Sequence, residues 1–172
     1  METKKFMELV NKGKIGEEIV KNKLIEQGSI IYETNFEQLN NKHNKSHPFD
    51  FMIFDKQKGI QIVEVKTITS RRYYNDTGIT YNVYIKYKEL SKHYNMPIYL
   101  YFVDKEKKAI YGNLLSELEI PYIERNITYP KVETVKTFNY TNKVIFFPLE
   151  KMKTIYDLND EELEQIKIES KY

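Results

Sequence analysis

The sequence predicts an α/β fold with a mixed central β-sheet flanked by helices, and three observations carry that expectation. Residues 3–27 repeat apolar side chains at helical spacing. Residues 47–54 and 59–67 are rich in β-branched and aromatic residues, and the polar stretch 55–59 between them reads as a hairpin turn. A helical stretch, residues 86–94, then separates the second of these runs from the apolar run 96–103. A helix in that position is a crossover, so parallel and antiparallel pairings share one sheet.

In chain order, the first helix carries Phe6, Leu9, Val10, Ile15, Ile19, Val20, Leu24 and Ile25, with a slip around Gly13 and Gly16. The two glycines fit either a pair of short helices or one helix packed closely on the sheet, and Gly28 supplies a stop. Residues 29–34 form a short strand, and 35–46 a polar loop with Lys42, His43 and Lys45. His43-Asn44-Lys45 matches an HxK pattern, but without a repeat it reads as solvated loop.

After Thr67, residues 70–78 have the composition of an exposed, mobile loop, and residues 79–85 are ambiguous. The helix of residues 86–94 turns Tyr87, Leu90 and Tyr94 inward and leaves His93 on the surface. Residues 109–112 form a strand and 114–118 a short helix; residues 121–142 are extended and partly exposed. A strand over 143–149 is ended by Pro148, and a terminal helix opens near Leu158, capped by Asn159 or Asp160.

The 172 residues fit one domain, with 121–172 a candidate C-terminal extension. Cysteine is absent, so a metal would be held by oxygen or imidazole. No apolar run approaches the roughly 20 residues that cross a bilayer, and no h-region follows the N-terminus. A cytoplasmic protein with no membrane partner is therefore expected. Net charge is +2, unevenly spread: residues 1–72 hold 13 Lys/Arg against 10 Asp/Glu, and residues 114–172 hold 8 against 11. A polyanion near the basic half fits this pattern, and so does ordinary variation in surface charge.

The chemistry concentrates where charges interrupt apolar strands, at Asp50, Glu64 and Lys66. Burying an unpaired charge costs several kcal/mol as an order of magnitude, so these three need compensation. Side chains alternate along a strand, which puts Glu64 and Lys66 on one face. If the hairpin register brings Asp50 opposite, two carboxylates and an ammonium converge, and a hard divalent cation is the natural ligand for the carboxylates. The tripeptide alone says little, because Glu2-Thr3-Lys4 and Glu106-Lys107-Lys108 also spell ExK. Glu64-Val65-Lys66 differs by its apolar strand and its upstream acid; the plainer alternative is a satisfied ion pair at a strand edge.

Asp50 followed by Glu64-Val65-Lys66 resembles the active-site signature of the PD-(D/E)XK nuclease superfamily. Residues 13–18, Gly-Lys-Ile-Gly-Glu-Glu, resemble the first helix of its restriction-endonuclease-like and Holliday-junction-resolvase-like members. The likeness covers about the first 70 residues. It departs from the usual spelling where Phe49 stands between Pro48 and Asp50.

The resemblance implies a restriction-endonuclease-like sheet and a Mg²⁺-dependent endonuclease that hydrolyses DNA phosphodiester bonds, with Mn²⁺ a substitute. Asp50, Glu64 and the Val65 carbonyl would hold metal, Lys66 would orient water or stabilise the phosphate, and Glu17 would hold a second metal or a water. Glu17 and Glu18 are about 100° apart on a helix, so only one can face the sheet; two solvated glutamates are the alternative. Arg71, Arg72, Lys42 and Lys45 are the candidate nucleic-acid contacts. DNA is the expected partner, RNA a second candidate, and a homodimer would suit two-strand cleavage. A noncatalytic nucleic-acid-binding subunit with the same fold is the alternative function.

Overall fold

The computed structural model describes residues 2–33, 49–56, 58–68, 70, 71, 73–136 and 141–168. Helix α1 (Glu2–Glu26) leads into the short edge strand β1 (Ile30–Tyr32). Strands β2 (Phe51–Asp55) and β3 (Gly59–Thr67) form the hairpin, with Phe51 opposite Val63 and Asp55 opposite Gly59. Gly59 closes the turn at φ 73°, a left-handed conformation that a glycine adopts without steric cost. The Asp55 carboxylate accepts the Lys58 amide at 2.8 Å and fixes the other end of the turn.

Chain order then departs from spatial order. β4 (Asp76–Thr80) leaves the central sheet, α2 (Tyr81–Tyr94) follows, and β5 (Ile98–Asp104) returns to lie parallel to β3. β6 (Ala109–Leu114) and β11 (Lys153–Asp157) extend the far side, giving the order β1-β2-β3-β5-β6-β11. Among the described residues only β3 and β5 pair in parallel, as a helical crossover requires. A second sheet sets β4, β10 (Thr141–Pro148) and β9 (Lys131–Lys136) side by side, antiparallel. Between the sheets, α3 (Leu115–Leu118) follows β6, and a hairpin joins β7 (Tyr122–Glu124) to β8 (Ile127–Tyr129). Its two turn residues, Arg125 and Asn126, both have positive φ, the tight connection whose twist suits paired strands.

Two apolar layers sandwich the central sheet. On one face, Val63, Val65, Tyr99, Tyr101 and Val103 meet Ile19, Val20 and Leu24 of α1 and Leu163 and Ile166 of α4 (Asp160–Ile168). On the other, Ile62, Leu100 and Phe102 meet Tyr84 and Tyr87 of α2 and Ile145 and Phe147 of β10. All seven residues of β5 are buried, which explains the unbroken apolar spelling of its first six; the seventh, Asp104, accepts the Ser70 amide at 2.8 Å. α1 runs unbroken through Gly13 and Gly16, so close packing is the correct alternative. A Cβ at Gly16 would lie 3.1 Å from the Thr67 Cβ and nearer still to its hydroxyl.

Several expectations needed correction. The stretch 70–78 is not simply an exposed loop: its last three residues open β4, and Asp76 and Thr77 are fully buried. The composition is that of a loop, but the Asp76 carboxylate is paired inside with Arg71 and Tyr129. The helix after it begins at Tyr81 rather than Lys86, and Tyr94 is 61% exposed because the helix ends there on Asn95 in the left-handed conformation. β11 was not foreseen; its alternation is short, and the central sheet rather than local propensity selects it. Asn159 does cap α4: its side chain accepts the Glu162 amide at 2.8 Å, and the Glu162 carboxylate accepts the Asn159 amide at 2.9 Å. The side chains of Phe6, Leu9 and Val10 and the HxK stretch at 43–45 lie outside the described residues.

Candidate active site

The hairpin register decides where the charges meet. Phe51 is the last residue of β2 paired with β3, and Asp50 lies one step beyond it, its amide donating to the Val63 carbonyl at 3.2 Å. The chain turns away there, and the Asp50 carboxylate takes the place of the departing strand by accepting the Val65 amide at 2.7 Å. The amide and carbonyl of one strand residue point to the same side. Ile62, two residues before Glu64, donates toward β5, so the even positions of β3 face β5 and Val65 faces the gap that Asp50 occupies. The Val65 carbonyl is thereby aimed at the Asp50 side.

Glu64 and Lys66 project from the face that α2 covers. Glu64 is 3% exposed, its carboxylate bonded to the Lys66 ammonium and near both the Asp50 carboxylate and the Tyr87 hydroxyl. Burial pushes its pKa up to about 7; the Asp50 charge adds to this, and Lys66 and Tyr87 oppose it. Burial likewise raises Asp50, against the lowering effects of the Val65 amide and Lys66. Burial pulls the Lys66 ammonium down, but Glu64, Asp50 and Glu17 together hold it above its ordinary value. Glu17, on α1, is half-buried and close enough to feel Asp50 and Lys66; burial first and Asp50 second raise its pKa. Its neighbour Glu18 is exposed and paired with Lys21 at 3.3 Å.

The structure therefore brings Asp50, Glu64, Lys66 and the Val65 backbone to one spot, with Glu17 at its margin. Among the described residues, no three His, Asp or Glu side chains gather tightly enough to hold a metal by themselves. A cation here would rest on the Asp50–Glu64 pair and backbone oxygen. That donor set suits a hard dication: two carboxylates crowded in a desolvated place, both driven toward protonation, gain most from a positive partner.

Arg71 lies elsewhere. It closes a bidentate pair with Asp76 (Nε to Oδ1, 2.6 Å), bonds Glu133, and stacks on Phe146 with its guanidinium carbon 3.6 Å from the ring centre. Tyr129 donates to the same Asp76 at 3.0 Å. Asp76 is fully buried, so this guanidinium is committed to holding the second sheet. Arg72, Lys42 and Lys45 lie outside the described residues.

Tyr87 is the residue that sequence reasoning placed in the core and did not connect with the site. Its helical spacing signals burial; only the fold shows that burial delivers its hydroxyl to Glu64.

No protein family and no curated protein matches the chain. Solved structures similar in shape include the following two. One is Hjc, a Holliday junction resolvase of the archaeal hyperthermophile Archaeoglobus fulgidus: 12% identity over 77% of this chain and 88% of that one, TM-score 0.46. The other is D212, a nuclease from a fusselovirus: 13% identity over 91% of this chain and 88% of that one, TM-score 0.43. Among the described residues, no helix is long and apolar enough to cross a membrane.

Proposed function

We propose that this chain is a Mg²⁺-dependent endonuclease that hydrolyses phosphodiester bonds of DNA, with Mn²⁺ able to replace Mg²⁺. The observation that supports it is the meeting of Asp50 and buried Glu64 beside Lys66, at the point where β2 leaves β3. Asp50, Glu64 and the Val65 carbonyl would hold the ion, and Glu17 would fix a water or a further ion at the margin. The bound cation would supply Lewis acidity toward the phosphate and an acidified water.

The protein's own part is positional. Val65 fixes one Asp50 oxygen and leaves the other for a ligand. Tyr87 stands near Glu64 on the α2 side and favours its charged form. Lys66 keeps its proton among three carboxylates and offers a fixed positive charge to the negative charge that builds on a phosphate under attack. No homodimer contact is assigned.

The test is cleavage of linear, nicked, branched and single-stranded DNA with and without saturating Mg²⁺. Wild type should cleave at least one of these, and Asp50→Ala and Glu64→Ala should cleave none while still binding DNA. Undiminished activity in EDTA overturns the proposal. So does a melting temperature that Mg²⁺ and Mn²⁺ both leave unchanged, since a ligand of the folded state alone must stabilise it.

A further inference from the structure

Lys66 has a second environment. Beyond Glu64, its side chain, 34% exposed, forms part of the wall of a cavity of about 290 Å³ where the end of β3 meets the face of the second sheet turned away from the shared core. Ile68 continues the wall on the Lys66 side; Gly78, Thr80, Val135, Asn142 and Val144 form the opposite one. The register explains why those residues stand together. Val135 pairs with Asn142, Val144 with Thr80 and Phe146 with Gly78, so all project from one face of the second sheet, while Ile79, Ile145 and Phe147 of the other parity face the apolar core.

That face is filled at one end and open at the other. At the end holding Asp76 and Glu133, Arg71 stacks on Phe146 and satisfies both acids, and Lys131 bonds Glu133. Toward Val135 and Asn142 the same face carries no acid among the described residues, and the exposed Lys136 and Lys143, of the other parity, project from the opposite face. The acids of the face are thus neutralised at one end, and at the other an apolar-walled groove is continuous with the Lys66 side chain.

We propose that this open groove receives the sugar and base of the DNA nucleotide adjoining the cleaved phosphate, an assignment that rests on the nuclease reading of Asp50, Glu64 and Lys66. A phosphate held at Lys66 must place its neighbouring nucleoside within one residue's reach, and the groove begins at that side chain. Val135, Val144 and Ile68 offer apolar surface to the base faces. Asn142 carries both a donor and an acceptor, the pair that can bond a base edge. The Lys66 ammonium at the head of the groove matches the negative charge of the backbone phosphate.

The experiment removes the base from one side and the groove from the other. Wild-type cleavage positions are mapped on a DNA duplex with Mg²⁺, and the same duplex is remade with a single abasic residue on either side of the main position. Loss of a base that stacks in the groove should slow wild-type cleavage about tenfold on one of the two sides. Val135→Trp, which fills the groove from strand β9, should raise the KM for intact DNA about tenfold, leave the Mg²⁺-induced rise in melting temperature unchanged, and become indifferent to the abasic residue. Asn142→Ala, an exposed truncation that leaves the fold intact, should narrow the spread of rates among duplexes differing in the flanking base.

If wild type cleaves and is indifferent to abasic residues on both sides, or if folded Val135→Trp matches wild type, the groove assignment is overturned and the metal site stands. If wild type cleaves nothing with Mg²⁺ or Mn²⁺, the nuclease reading falls and this assignment falls with it.

Discussion

Replacing Glu64 by glutamine isolates the physical conflict at the centre of the site. The carboxyl group is 3% exposed, and its pKa is pushed from 4.5 to about 7. A raised carboxyl pKa means the folded state holds its proton more tightly than the unfolded chain. Below about pH 4.5 both states are protonated and the residue contributes nothing. Between pH 4.5 and 7 the unfolded chain releases its proton first, so folding grows less favourable as pH rises; above pH 7 the penalty is constant. At about 1.4 kcal/mol per unit, the shift corresponds to a penalty of about 3 kcal/mol at pH 8. Glutamine keeps the shape and removes the charge, and Lys66, a third exposed, regains water when it loses its partner.

Denaturant unfolding of wild type and Glu64→Gln, run without divalent ions from pH 4 to pH 8.5, should therefore show equal stabilities near pH 4. The variant should become more stable by about 2–3 kcal/mol at pH 8. Saturating Mg²⁺ should raise the wild type toward the variant and leave the variant unmoved, while the variant cleaves no DNA. A variant less stable than wild type at pH 8, or a difference that does not change with pH, would refute the assignment of Glu64 as a carboxylate held against its own burial.

Arg71→Ala strips the bidentate partner from Asp76, which is fully buried, and should cost about 3–5 kcal/mol in a thermal or denaturant melt. Arg71→Lys should recover only part of that loss, because an ammonium cannot repeat the fork. Tyr87→Phe removes a group that lowers the Glu64 pKa, so the acid limb of the cleavage pH profile should move to higher pH, and stability should fall at pH 8 while staying nearly unchanged at pH 4. Gly16→Ala, favourable by helix propensity alone, should instead destabilise by about 1 kcal/mol because of the Thr67 side chain; a double-mutant cycle with Thr67→Ala should show most of the loss recovered.

The parts of this fold legible in the sequence are those where local pattern and tertiary demand agree. The β2–β3 hairpin announces itself through alternation and a glycine turn, β5 through its apolar run, and α4 through a cap at Asn159 or Asp160. The charges at Asp50, Glu64 and Lys66 stood out because apolar strands surrounded them. The rest depended on partners far along the chain. Residues 70–78 spell a loop, yet Asp76 is buried because Arg71 and Tyr129 meet it there, and Tyr129 is 53 positions away. Arg71 reads as a phosphate clamp in sequence and proves to be an internal tie for the same reason. The Tyr87 hydroxyl and the groove beside Lys66 have no local signature, since each exists only once α2 and the second sheet have closed over β3.

The way Asp50 is seated makes the whole arrangement sensitive to arithmetic. Its carboxylate stands in for the next rung of a ladder whose count is set at the other end, by the bend at Gly59. One inserted or deleted residue between Phe51 and Val63 would slide that count and rotate the acid away from Glu64 without breaking the strands themselves. Lineages descended from such a sequence could vary the bend only in compensated steps, or lose their chemistry while keeping a well-folded shape.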